Sequence, residues 1–403
     1  MSSAPHQLPY ASFRIRPWYQ SPIFVLGLLT TIATLPLIFM GGLVTSNGAG
    51  LAVPDWPNSY GYNMFLFPPR YWVGGIFYEH THRLMGTLVG FLSTLLCVAA
   101  FLAQPPQWTQ RLADRAGVLP KLARFAAWVA EPRRWVRRLC YWVFFAVLFQ
   151  GVLGGLRVVF KNLDLAIVHA CVAQAFFCLA ATVIVVASNW WHSAPNLSGD
   201  AGRPLLRVAI TAVAVIYLQL IVGATMRHEQ AGLAIPDFPL NFGHILPPAP
   251  SAVNDAFRTA AMHNWPDPAL TLLAHVTAWQ IYLQFAHRIG AVIATIAVCW
   301  LVRLIYRNPG RQHLLRLANV LLFLLVTQIT LGILSVLWRK PADIASLHVA
   351  TGALTLVTTY IIALRAARLF WPAPPAHTSA TAATERILLS SPPLPVSSGP
   401  PLS

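Results

Sequence analysis

The chain has 403 residues, 56% of them hydrophobic and only 10% charged, whereas a soluble domain carries roughly 25% charged residues. This excludes an ordinary soluble protein and points to a polytopic membrane protein. The net charge of +16 is therefore read through its placement along the chain, as a topology and lipid-headgroup signal and not a nucleic-acid one.

Eight segments are apolar over the roughly 20 residues that a membrane span requires. After an N-terminal segment, 1–21, the spans fall at 22–42, 82–103, 139–160, 165–189, 205–226, 281–303, 314–338 and 344–369. No small-residue cleavage site follows the first, which reads as an uncleaved helix and not a signal peptide. Five cysteines (Cys97, Cys140, Cys171, Cys178 and Cys299) lie in these apolar stretches without CxxC spacing. They read as small buried hydrophobes and argue against a disulfide framework or a zinc site. The stretch 104–138 is basic and partly apolar, as an interfacial helix would be. The stretch 249–275 is rich in Ala, Pro and His, and the tail 372–403 is rich in Pro, Ser and Ala, a composition that favours disorder.

Lys and Arg in short loops set the orientation. One side receives Arg14 and Arg16, the eight cations between Arg111 and Arg138, Arg203, the group Arg303 to Arg316, and Arg365 with Arg368. The other side carries fewer: Arg70, Arg157, Lys161, Arg227, Arg258, Arg339 and Lys340. Both termini are thus expected on the cytoplasmic side.

The chain repeats itself. GAGLAVPDWP at 48–57 is matched by QAGLAIPDFP at 230–239, and Gln150 to Gly154 in span 3 is echoed by Gln328 to Gly332 in span 7. His82-Arg83 recurs as His287-Arg288, and His169, five residues after Asp164, recurs as His348, five after Asp343. Repeats of this kind imply one duplicated structural unit. The fold expected is all-α, with eight transmembrane helices as two tandem four-helix bundles, 22–189 and 205–371, joined by a cytoplasmic linker, 190–204. An even number of spans gives both copies one orientation, so their pseudo-twofold axis runs along the membrane normal.

All four histidines lie near the starts of even-numbered spans and so share one depth, toward the outer face. Helical bundles commonly hold cofactors between facing helices, and imidazole ligates heme iron. Two heme sites are the expectation, His82 with His169 and His287 with His348. A lone membrane histidine can equally serve a helix–helix hydrogen bond; duplication at one depth favours ligation. Arg83 and Arg288 are placed to meet heme propionates, the alternative being snorkelling to headgroups. His80 points about 200° away from His82 and is assigned to the interface. His228, His244, His263 and His275 lack counterparts in the first copy and are assigned to loops or surface.

The copies differ at one place. Glu79 stands three residues before His82, on the same helical face, and its counterpart is Gln284. A carboxyl at membrane depth marks function by default, although an anion near a helix N-terminus is also favoured structurally.

Eight spans in two repeats, Glu79-x-x-His82-Arg83, the later histidines and the AGLAVPDWP loop together resemble the heme A synthase family over nearly all of residues 20–370. The resemblance implies oxidation of the C8 methyl of heme O to a formyl group by successive hydroxylations. It implies His287 and His348 as axial ligands of a resident heme b, His82 and His169 lining the substrate-heme pocket, and Glu79 as the catalytic carboxylate, acting as a base or stabilising a cationic carbon. It further implies heme O, membrane lipid, a heme O synthase and an electron donor or acceptor as partners, with a second copy of the chain as an option, and residence in a bacterial inner membrane. The chain departs from the family in two ways. The loops Val53–Tyr60 and Ile235–Phe242 lack the cysteine pairs of some members, and the stretch 249–275 is longer than the resemblance implies. From the residues alone, a non-catalytic diheme cytochrome b linked to quinone and a repeat-built transporter stand as alternatives.

Overall fold

The computed structural model describes residues 21–103, 133–197, 202–248, 276–308 and 310–370. The tail 372–403, the added stretch 249–275 with His263 and His275, and most of the basic stretch 104–138 lie outside them.

Eight helices are long and apolar enough to cross a membrane: α1 (Pro22–Ser46), α2 (Gly74–Leu102), α3 (Arg134–Val159), α4 (Leu163–Ala187), α5 (Gly202–His228), α6 (Ala278–Arg307), α7 (Leu315–Leu337) and α8 (Ala342–Phe370). Their ends follow local chemistry. Pro22 starts α1, where a missing N–H costs nothing, and Asn47 with Gly48 in the left-handed region stops it. Asn162 caps α4 by accepting from Leu165 N–H, and Thr277 with Gln280 forms a reciprocal capping box on α6. Hydropathy placed the start of α2 at residue 82, but the helix begins two turns earlier, at Gly74. Those turns carry Glu79 and His80, polar residues that are buried under a loop and not exposed to lipid.

In the first half α1 packs on α2 and α4, and α3 on α2 and α4; in the second, α5 packs on α6 and α8, and α7 on α6 and α8. Ile23, Val89, Leu96, Val136, Val143 and Val183 form the core of the first half. Leu205, Ile216, Leu301, Leu321, Leu356 and Ile362 belong to that of the second. The seam between halves is made by α1 and α4 against α5 and α8, so α4 and α8 are the most enclosed helices. Small residues let backbones approach there: a Cβ on Gly42 of α1 would lie 3.1 Å from the Cα of Ser346 on α8. Cys140 and Cys178 are buried and Cys97 and Cys171 partly so, but Cys299 is exposed on α6, a correction to its reading as a buried residue.

Candidate functional site

Two loops built alike cover α2 and α6. In each, an aspartate closes a tight turn: Asp55 accepts from the N–H groups of Tyr60 (2.7 Å) and Gly61 (2.8 Å), and Asp237 from those of Phe242 (2.7 Å) and Gly243 (2.8 Å). Both turn pairs have positive φ and are bracketed by Ser59–Tyr62 and Asn241–His244 bridges, the geometry of a type I′ turn, in which Gly at the second central position relieves strain. Partial burial pushes the Asp55 carboxyl up, but the Gly61 and Tyr60 N–H groups and the Arg83 charge outweigh it and hold it below the usual carboxylate range.

Each loop is held from below by the residues flanking the first histidine. Val53 N–H donates to Glu79 Oε2 at 2.9 Å, and Ile235 N–H donates to Gln284 Oε1. The Gln284 amide also donates to the carbonyls of Gly232 (2.9 Å) and Ile235 (3.3 Å). Arg83 donates to the carbonyls of Val53 (2.7 Å), Asp55 (2.6 Å) and Asn58 (3.0 Å), and it pairs with Glu79 Oε1 at 2.9 Å. Arg288 clasps its loop in the same way, through Leu240, Ile235 and Asp237 carbonyls. Both arginines, expected to meet propionates, here fasten the loops. Glu79 is 1% exposed and Gln284 2%, so the two positions share the task of receiving the loop N–H but differ in charge and in partners, Glu79 pairing with Arg83 and Gln284 donating to loop carbonyls.

The four histidines sit six to nine residues inside their helices, about 9–13 Å along the axis at 1.5 Å per residue. Each ring lies against a glycine of the neighbouring odd-numbered helix. A Cβ on Gly41, Gly154, Gly223 or Gly332 would stand 3.1, 3.1, 3.0 or 3.0 Å from the Cε1 of His82, His169, His287 or His348 respectively. Glycine is needed because any side chain there would displace the ring. Glutamines complete the support. Gln150 donates to the His169 carbonyl (3.1 Å), and the Gln219 amide lies 3.1 Å from His287 Nδ1 and donates to the His287 carbonyl (2.8 Å).

The two pairs differ in how their rings are held. In the second half His348 Nδ1 lies 3.1 Å from the Gln328 carbonyl, the kind of outer-shell contact that orients a metal-binding imidazole. The Gln328 side-chain amide lies 3.4 Å from Nε2 and would have to turn aside for that nitrogen to ligate. The His287 and His348 ring centroids are 6.4 Å apart. Two metal–imidazole bonds of about 2 Å, with about 1 Å more from each nitrogen to its ring centre, give about 6 Å, so the pair suits one iron. In the first half, His82 Nδ1, His169 Nδ1 and Gln150 Oε1 are buried without a hydrogen-bond partner. Buried polar atoms left unpaired are costly, and these three, with Gln328 Oε1 as the unpaired counterpart of Gln150 Oε1 in the second half, fit sites whose occupants supply missing contacts.

Two minor histidines are corrected. His80 is not at the interface but 0% exposed beneath the first loop, its Nδ1 3.2 Å from Ser59 Oγ and its ring against Phe67 and Trp72. His228 is partly buried at the end of α5, its Nδ1 on the Ala224 carbonyl, while His244 is exposed in the second loop. Sequence reasoning missed Gly41, Gly223 and Gln219, because one glycine or glutamine in an apolar helix carries no distinguishing signal. The Gln-to-Gly echo in α3 and α7 did contain one, and its meaning is support of His169 and His348.

A family model described as a cytochrome oxidase assembly protein, COX15-CtaA, matches residues 24–360. The heme A synthase of Shewanella oneidensis is 25% identical over 352 residues, covering 83% of this chain and 93% of that protein. That of Symbiobacterium thermophilum is 27% identical over 76% of this chain and 83% of its own length, and that of Shouchella clausii 28% identical over 68% and 81%. With the match running from the first of eight apolar helices into the last, the chain belongs to the COX15-CtaA family of cytochrome oxidase assembly proteins.

Proposed function

We propose that the chain is a heme A synthase, an integral membrane oxidoreductase that converts heme O to heme A for terminal oxidases. The observation that carries this is family membership over residues 24–360 together with four histidines packed in one repeated way against glycine. In this reading the protein is two tandem four-helix bundles, 22–189 and 205–371, related by a pseudo-twofold axis along the membrane normal. Both termini are cytoplasmic in a bacterial inner membrane, and the heme sites lie toward the outer face. The matched loop, histidine and glycine contacts of the two halves support that arrangement.

The halves divide the work. His287 and His348 would hold a resident heme b; their ring spacing supports a site for one iron, with Gln219 and Gln328 placed against the two rings. When bound, that group supplies one-electron transfer. His82 and His169 receive heme O, whose entry satisfies atoms otherwise unpaired, and the first loop excludes water above it. Each hydroxylation is a two-electron oxidation: a C–H bond of the C8 methyl breaks, its proton is released and the two electrons pass to the electron acceptor, and water adds to the cationic carbon with loss of a second proton. The diol formed after two rounds loses water to give the formyl group. Glu79 is the catalytic carboxylate. Both of its oxygens accept hydrogen bonds, from Val53 and Arg83, which favours a fixed negative charge stabilising a cationic methyl carbon over proton abstraction. Arg83 and Arg288 position these loops, and any propionate contact they make is in addition to that. A heme O synthase and an electron donor or acceptor complete the system.

The test is expression in cells that make heme O but lack their own synthase, followed by chromatography of extracted hemes. Heme A is expected; its absence with the protein folded and heme-loaded would refute the assignment. The diheme-carrier alternative leaves the Glu79–Gln284 difference unexplained.

A further inference from the structure

At the outer end of the seam, Arg227 closes α5 and reaches across both halves. It donates to the Ala345 carbonyl of α8 (2.9 Å), to the Gly42 carbonyl of α1 (2.8 Å) and to Ser46 Oγ (2.8 Å). No carboxylate joins these contacts among the described residues, so a partly buried cation is held entirely by dipoles. Such a charge is costly to keep in a poorly solvated place, and a cation needed only for solubility or headgroup contact would extend outward. Its anchors are rigid. Gly42 and Ser346 are in close backbone contact, Ser46 Oγ lies 3.4 Å from Ser346 Oγ, and Ser346 is 0% exposed. Lys340, bonded to Gln230 Oε1 at 3.3 Å, adds a second cation beyond the start of α8.

The three anchors flank the heme-ligand candidates. Gly42 follows Gly41, which abuts the His82 ring, and Ala345 is one turn before His348. By repeat register Arg227 corresponds to Thr45 in the first half, whose own cation, Arg157 of α3, stands elsewhere, on the Gly50 carbonyl at 3.1 Å. The two iron sites therefore differ in where their cations stand as well as at Glu79.

We infer that Arg227 is a positioning residue of the second iron site, whose fixed positive charge beside the His348 helix raises the reduction potential of the heme held there. A nearby cation favours the reduced iron because reduction lowers the net charge of the site, and poor screening in the seam makes that effect large. The inference rests on the proposal that His287 and His348 hold the resident heme.

The experiment is a spectroelectrochemical titration of the resident heme in the full-length protein purified in detergent. Arg227→Gln is expected to weaken reduction about tenfold, a downward shift of about 59 mV for a one-electron couple. Arg227→Lys keeps the charge and is expected to restore most of the shift. If Arg227→Gln does not accumulate, Ser46→Asp neutralises the cation while leaving its contacts to Gly42 and Ala345, and the same downward shift is expected. An unchanged potential in folded Arg227→Gln or Ser46→Asp would overturn the inference, as would an equal shift in Arg227→Lys, which would mark loss of shape and not of charge. If His348→Ala leaves the b-type spectrum intact, the resident-site assignment fails. If His348→Ala abolishes the spectrum and the Arg227 variants do not move the potential, only this inference fails.

Discussion

Glu79→Gln separates the two tasks of the first-half carboxylate, because the protein already contains the substituted version. Gln284 receives the Ile235 N–H and donates to the Gly232 and Ile235 carbonyls. The equivalent partners of a glutamine at 79 are the Val53 N–H and the Gly50 and Val53 carbonyls. Breaking a buried ion pair by removing one partner typically costs about 3–5 kcal/mol. Here Arg83 keeps three carbonyl acceptors, as Arg288 does beside Gln284, so the cost should fall to about 1–3 kcal/mol, that of a charge-assisted hydrogen bond. The variant should fold, retain resident heme b and melt only slightly earlier. Heme A formation should fall by about 10²–10³, the scale of losing one preorganised charge in a desolvated site. The assay is chromatography of extracted hemes at matched expression, with heme b content and thermal stability measured on the same preparation. Undiminished heme A in folded Glu79→Gln would refute a chemical role and leave Glu79 as the anchor of its loop.

Gln284→Glu should place an ion pair beside Arg288 and leave heme A output within about fivefold, since a charge change worth less than about 1 kcal/mol at the transition state shifts rate less than about fivefold; a larger loss would mean that the second half does chemistry. Gly332→Ala puts a methyl 3.0 Å from His348 Cε1 and should lower resident heme b content, whereas Gly154→Ala should spare heme b and depress turnover, both read by hemochrome spectra and heme extraction. Asp55 is held below the usual carboxylate range, so its contribution to the first loop is fully present above that range and is lost as pH falls through its own lower value. Proteolysis of the loop should therefore stay constant from neutral pH down to the usual carboxylate range and rise progressively as pH falls from there through Asp55's own lower value, and Asp55→Asn should remove that acid dependence; a rise in wild-type cleavage beginning near pH 6 would contradict this.

The helices were readable because a bilayer demands long apolar runs, and the repeat because two loops preserve the same turn chemistry letter by letter. Asp55 and Asp237 show why: each must satisfy two N–H groups of a turn with positive φ, and few residues can. Duplication suggested the histidine pairs, and in the second of them the His287 and His348 ring centroids stand 6.4 Å apart. The meaning of the arginines did not follow. Arg83 and Arg288 could meet a ligand or a loop, and only the position of the loop carbonyls decides between them. His80 went astray for a similar reason, since helical phase gives its direction but not the loop that folds over it. Arg227 looked like one outer-side charge among several, and three-helix contacts between residues far apart in sequence leave no local trace.

The central claim is that two similar histidine pairs have unequal jobs. The most direct measurement is bound and extracted heme from His169→Ala and His348→Ala, purified side by side from heme O-producing cells. His348→Ala should lose the b-type spectrum, while His169→Ala should keep it and yield no heme A. Loss of the b-type spectrum in His169→Ala with its retention in His348→Ala would reverse the two halves, and equal behaviour of both variants would contradict the division of labour altogether.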